Sequence, residues 1–252
     1  MDFIENKFYR GAVTCNYIIC GKGKPLLFLH GGGTEARTYP EIIGLLSQSY
    51  KVIAPDLPGF GRSSMPEGIW SFDDYSEFVG ALLSHLKIKS AIVVGYSFGA
   101  GVAVSLASRS RKVKSIILLS PPMATGRHVD KKWIMHTVIS EAARNILLIR
   151  SMRQARMFFR VAADFISNVV QRRHNLQSLQ DSVIKCLNGC ELRMPEDIPT
   201  QVIISREDRI FFSQDIENAL RNRCETNLTY TDGPHLWVAL YPEKAVNLLN
   251  FA

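Results

Sequence analysis

Long apolar runs are missing from this 252-residue chain: stretches such as Ile116–Leu119 and Ile146–Ile149 stop after four residues. A membrane-spanning helix needs ~18, so no transmembrane segment is expected. A basic-then-apolar leader is missing too. The chain opens Met1-Asp2-Phe3-Ile4-Glu5-Asn6, so no signal peptide is expected and a reducing cytoplasmic location is the default. Cysteine is sparse: Cys15, Cys20, Cys186, Cys190 and Cys224 are odd in number and too scattered for a disulfide framework. Cys186 and Cys190 could pair on a metal, but no second Cys or His pair follows at zinc spacing, and no metal or other cofactor is expected. Repeats and low-complexity tracts are also lacking. With 46% hydrophobic and 21% charged residues, disorder and collagen-like structure are excluded, leaving a globular chain long enough to bury a real core.

Acidic residues are in deficit, 23 against 30 Lys and Arg, for a net charge of +7. The deficit is local. Pro122–Pro195 holds twelve basic residues and five acids, so the rest of the chain balances at eighteen of each sign. There Arg144, Arg150, Arg153, Arg156 and Arg160 alternate with Leu147, Leu148, Met152, Met157 and Phe158. That pattern reads as amphipathic helices with apolar residues over a pocket and arginines on a solvated face. Sharper alternatives are recruitment of an anionic or carrier-bound acyl substrate, and contact with a lipid surface. No nucleic-acid-binding motif accompanies the charge, so nucleic acid is not an expected partner.

What the chain does contain is an alternation of buried strands and helices. Strands are expected at Pro25–His30, Lys51–Ala54, Ala91–Val94, Val113–Leu119, Gln201–Ser205 and Asn227–Thr231. Helices are expected at 37–48, 72–86, the run ending at Arg109, Ser213–Arg221 and Pro242–Asn250. An antiparallel hairpin at Phe8–Arg10 and Thr14–Ile19 fits the sheet edge. Continuous apolar strands between helices imply an α/β fold with a mostly parallel, doubly wound sheet. Residues 130–190 carry almost no Gly or Pro and no convincing strand, which divides the chain into a core (1–121 and 197–252) and an inserted helical cap (122–196).

Gly95-Tyr96-Ser97-Phe98-Gly99 lies between a strand and a small-residue helix, the context of a nucleophile elbow. A serine hydroxyl needs a base. His235, in the loop after the last strand, stands at the carboxyl end of the sheet where α/β sites collect. Asp208 follows Gln201–Ser205 at the same end and is the expected orienting acid, with Glu207 as its rival. Backbone N–H groups of Phe98 and of Gly32 or Gly33, in His30-Gly31-Gly32-Gly33, would form an oxyanion hole, each donor contributing ~3 kcal/mol. Tyr96 and Trp237, beside the serine and the histidine in sequence, are expected at the substrate pocket.

With these motifs, and Asp56-Leu57-Pro58-Gly59-Phe60-Gly61-Arg62-Ser63 and Ser205-Arg206-Glu207-Asp208, the chain resembles the α/β-hydrolase fold superfamily from about Phe8 to Phe251. The resemblance implies a Ser97–Asp208–His235 hydrolase with the insertion at the cap position, and a structural role for Asp56–Ser63. Epoxide hydrolases and haloalkane dehalogenases use an aspartate where this chain has Ser97, and residues 122–199 lack the tyrosines of epoxide-hydrolase lids. Carboxylesterases, lactonases and thioesterases fit. The alternatives are a carbon–carbon bond hydrolase, which Trp237 echoes, and a hydrolase-like receptor with little turnover. The acyl group, leaving group and oligomeric state are left open.

Overall fold

The computed structural model describes residues 3–122, 128–171, 176–188, 194–221 and 226–251. Cys190, Cys224 and His174 lie outside them. Two strands, β1 (Ile4–Arg10) and β2 (Val13–Cys20), form the antiparallel edge hairpin. The other strands are β3 (Lys24–Leu29), β4 (Tyr50–Pro55), β5 (Ala91–Tyr96), β6 (Val113–Leu119), β7 (Thr200–Ser205) and β8 (Thr226–Thr231). They assemble in the order β1-β2-β4-β3-β5-β6-β7-β8, with every pair from β4 to β8 parallel. The strand carrying the elbow is central.

Side-chain alternation splits the core into two layers, as a sheet covered on both faces requires. Leu27, Leu29 and Val93 meet the apolar faces of α2 (Phe72–His85) and α3 (Phe98–Arg109). Leu26, Phe28, Ile92 and Val94 face α1 (Pro40–Leu46) and the C-terminal helix Pro242–Leu248. Helix α2 starts where its sequence signals a cap. Ser71 N–H donates to the Asp74 carboxylate at 2.7 Å, and the Ser71 hydroxyl accepts from Asp74 N–H.

The expected helix over 37–48 is in fact a 3-10 turn (Ala36–Thr38) followed by α1, because Pro40 has no N–H to continue the first turn. Between β6 and β7 stand α4 (Lys131–Leu148), α5 (Met152–Gln171) and α6 (Leu176–Asn188). Helix α7 (Ser213–Leu220) follows β7; α8 (Trp237–Leu240), a single turn absent from the sequence expectation, and α9 (Pro242–Leu248) follow β8. No described helix is long and apolar enough to cross a membrane.

The inserted helices are bound to the sheet domain by their own charges. Arg160 Nη1 donates to both carboxylate oxygens of Glu41 of α1 at 2.8 and 2.9 Å, Arg144 reaches Glu207, and Arg153 pairs with Glu243 of α9. These arginines therefore meet acids of the core, which revises the expectation of a purely solvated face. Leu147 and Met152 are each 75% exposed, whereas Met157 and Phe158 are buried against Leu240. The apolar residues of this insertion thus do not all point inward.

Candidate active site

The site begins with a strained backbone at Ser97. Ser97 has φ 50° and ψ −118°, a left-handed conformation that side chains rarely adopt. It is held there by Ser97 N–H donating to the Leu119 carbonyl and Ala100 N–H donating to the Ser97 carbonyl, both at 2.9 Å. The flanking glycines make the turn possible. A Cβ on Gly95 would lie 2.6 Å from the Gly99 carbonyl oxygen, and one on Gly99 would lie 2.6 Å from the His30 carbonyl oxygen.

On this turn Ser97 Oγ lies 3.0 Å from His235 Nε2. On the opposite edge of the ring, His235 Nδ1 lies 2.7 Å from Asp208 Oδ2. The second oxygen of Asp208 accepts from the N–H groups of Ile210 and Phe211 at 2.8 and 3.0 Å, which orients the carboxylate. An ionised carboxylate can only accept, so Nδ1 carries the proton and Nε2 accepts from the Ser97 hydroxyl. Asp208 and His235 are both buried. Glu207, the rival acid, turns away and takes Arg144 on both its carbonyl and its carboxylate.

Two aromatic rings fix the imidazole. Tyr96 stacks on it with centroids 5.4 Å apart, and Phe211 meets it edge-on at the same separation. Tyr96 is buried and its hydroxyl donates to the His235 carbonyl at 2.9 Å. Burial, then Tyr39, Asp208 and Glu141, push its phenol well above the usual range, so it stays a neutral donor. Trp237 is fully buried, and its indole N–H donates to Ser120 Oγ at 3.1 Å. The structure thus sets Tyr96 under the histidine and Trp237 in the packed layer behind it. Phe211, which the sequence does not mark, lies three residues after Asp208.

Phe98 opens α3, and a Cβ on Gly32 would lie 3.5 Å from the Phe98 Cβ, so the glycine loop passes directly beside the elbow. Among the described residues, no hydrogen bond engages the N–H of Phe98, Gly32 or Gly33. Behind this loop His30 is fully buried. Its Nε2 accepts from Leu57 N–H at 2.9 Å, leaving Nδ1–H to donate to the Gly31 carbonyl at 2.8 Å. Burial lowers its pKa, which keeps it neutral in this role. Asp56 accepts from Ala36 N–H at 2.9 Å and Arg62 N–H at 3.0 Å, so it ties its own loop to the segment after the glycines.

Helix α5 closes over the same loop. Asn168, which sequence alone does not mark, is buried; it accepts from Gly61 N–H at 2.7 Å and donates to the Gly33 carbonyl at 3.1 Å. One amide therefore links an inserted helix to both loops. Asn168→Ala removes these hydrogen bonds from a buried site. Urea unfolding should show a loss of about 1–3 kcal/mol, the scale of a buried polar network losing a partner.

Glu35, two residues beyond Gly33, introduces a pH dependence. Burial first, then the carboxylates of Asp56 and Asp164, push its carboxyl from 4.5 up to about 7. The folded chain then keeps a proton that the unfolded chain releases, so stability falls as pH rises from about 4.5 to about 7 and levels off above that range. Glu35→Gln should stabilise the fold above that range and leave it little changed below; paired urea melts at the two ends check this.

Comparison with known proteins agrees with this architecture. A family model described as the alpha/beta hydrolase fold matches residues 24–138. An uncharacterized protein of Mycobacterium tuberculosis is 38% identical over 103 residues, 40% of this chain and 30% of that protein, so the shared part spans under a third of its length. A putative non-heme haloperoxidase of Mycobacterium phage D29 is 27% identical over 92% of this chain and 88% of its own. Among solved structures, Est816, described as an N-acyl homoserine lactone degrading enzyme, superposes with a TM-score of 0.76 at 23% identity, covering 98% of this chain and 100% of that one. The matched region, the mostly parallel sheet and the helical layers on it give this chain the alpha/beta hydrolase fold.

Proposed function

We propose that this protein is a serine hydrolase that cleaves an ester-like carbonyl through an acyl-enzyme. One observation carries the reading: the relay Ser97 Oγ to His235 Nε2 to Asp208, at 3.0 and 2.7 Å, built on a strained elbow. His235 takes the Ser97 proton as Oγ bonds to the substrate carbonyl carbon. The oxygen that becomes negative is held by the N–H groups of Phe98 and of Gly32 or Gly33. His235 then returns the proton to the leaving group, the carbonyl re-forms, and an acyl–Ser97 ester remains. Water, giving a proton to His235, releases the acid and restores Ser97. Asp208 holds the imidazole in the required tautomer and stabilises its charged form throughout.

No step calls on a metal or an organic cofactor. Residues 122–196 act as a cap. Because Arg144, Arg153 and Arg160 are engaged by core acids, the substrate we favour is a small acyl compound recognised inside the site. Trp237, the residue that echoes carbon–carbon bond hydrolases, has its indole N–H committed to Ser120, so nothing in the site favours that chemistry over ester hydrolysis. A fluorophosphonate probe tests the class. Stoichiometric labelling lost in Ser97→Ala is expected, and a folded protein that takes no label would instead be a receptor or binding protein.

A further inference from the structure

Helix α4 is amphipathic the wrong way round. Its buried residues are Thr137, Glu141 and Asn145, one per turn, while Met135, Ile139, Ile146 and Leu147 are exposed. A helix that packs only for stability buries its apolar stripe. Here a polar stripe faces inward, on a helix that meets residues adjoining Asp208 and His235. One turn of α4 places Arg144 on Glu207, the neighbour of Asp208. Ala142 of the same helix packs against the Met157, Phe158 and Leu240 cluster, which Leu236, the neighbour of His235, also packs against. Glu141 is close enough to act electrostatically on the hydroxyl of Tyr96, which holds the His235 carbonyl.

Among the described residues the stripe is not fully satisfied. Asn145, fully buried, donates to the Glu141 carbonyl at 2.6 Å, and Glu141 Oε1 lies 3.6 Å from Arg144. Yet Asn145 Oδ1 and Glu141 Oε2 are buried acceptors that receive no hydrogen bond from a described residue. Two idle buried acceptors, one helical turn apart, cost folding free energy unless something donates to them. Flipping the Asn145 amide gives no relief, because its oxygen would then face the Glu141 carbonyl.

We propose that Glu141 and Asn145 form a hydrogen-bond-accepting subsite under the cap, so that the substrates of this enzyme carry a neutral donor, a hydroxyl or an amide N–H, near the scissile carbonyl. This assignment rests on the serine-hydrolase reading above. A neutral donor suits the site better than an ammonium group, because Arg144 already supplies positive charge to Glu141. A site built to accept from a substrate group discriminates strongly against the analogue lacking it, since its acceptors are then left unpaired.

The test uses ester pairs of equal size that differ only in the donor. Para-nitrophenyl N-acetylglycinate is compared with para-nitrophenyl levulinate, in which CH2 replaces N–H, and hydroxyethyl butyrate with propyl butyrate, each corrected for spontaneous hydrolysis. The donor-bearing member of at least one pair should have a kcat/KM higher by about tenfold or more. Asn145→Leu, which keeps the volume and removes the acceptor, should bring that ratio toward one. Equal kcat/KM within both pairs, in wild-type protein whose Ser97 takes the fluorophosphonate label, overturns the subsite and leaves the hydrolase reading standing. Absence of the label overturns both. A preference that survives in Asn145→Leu overturns the role of Asn145.

Discussion

Ser97→Ala is expected to lower kcat on an activated ester by a factor on the order of 10⁵–10⁶ while the fold persists. The residue is already poised: its hydroxyl lies 3.0 Å from the imidazole nitrogen that must take its proton, on a backbone with φ 50°. On the proposed mechanism alanine removes the atom that bonds to substrate and keeps the Cβ, so the elbow should lose chemistry without losing its packing. His235→Ala should cost about as much, because a serine without its base is scarcely a nucleophile. The double variant should be little worse than either single one, since the two act as a unit. Steady-state kinetics on para-nitrophenyl acetate, with melting temperature as the check on folding, measures all three.

Asp208→Asn should lower kcat by about 10⁴, and Glu207→Gln should leave it nearly unchanged. The reason is the direction of one proton. Asp208 Oδ1 accepts two backbone N–H groups, so an asparagine keeps its oxygen there and turns its NH2 toward His235 Nδ1. The imidazole must then accept at Nδ1 and carry its proton on Nε2, where it can no longer receive one from Ser97. Glu207 reaches Arg144 instead of the histidine, so its neutralisation weakens a contact with α4 and leaves the proton path intact. Comparable losses in the two variants would mean that the orienting acid is misassigned.

The legible part of this protein was the part governed by local rules. Elbow, glycine loop, acid and histidine each follow a strand, and their order with the apolar alternation was enough to anticipate the sheet. Gly95 and Gly99 were readable because only a residue without a Cβ fits beside the carbonyls they approach. The choice of Asp208 over Glu207 agrees with the hydrogen bond that the structure gives His235. What sequence could not supply depends on contacts far along the chain. Asn168 looks like an ordinary helical asparagine until α5 is laid over Gly33 and Gly61, more than a hundred residues away. Phe211 and Tyr96 gain their positions against His235 only once β5 and the loop after β7 converge.

The basic surplus shows the same limit. Counting charges located it between Pro122 and Pro195, but could not say which acids it would meet. Arg144, Arg153 and Arg160 find Glu207, Glu243 and Glu41, all of them in the balanced remainder of the chain. A charge excess that looked outward therefore serves in part to seat the insertion. Exposed pairs such as Arg153–Glu243 add little stability on their own, whereas the less exposed Arg160–Glu41 pair, one nitrogen on both carboxylate oxygens, is screened less by water. Helix α4 is the extreme case, because its apolar residues pointed to the wrong face as the buried one.

The central claim is that Ser97 becomes covalently acylated and is then freed by water. Quenching the enzyme with acid during turnover of para-nitrophenyl acetate, and mapping the digest by mass spectrometry, reads this directly. The account predicts an acetyl group on the peptide containing Ser97, present during turnover, gone once substrate is exhausted, and absent in Ser97→Ala. Sustained turnover with no adduct on that peptide, or with full activity in Ser97→Ala, would contradict it.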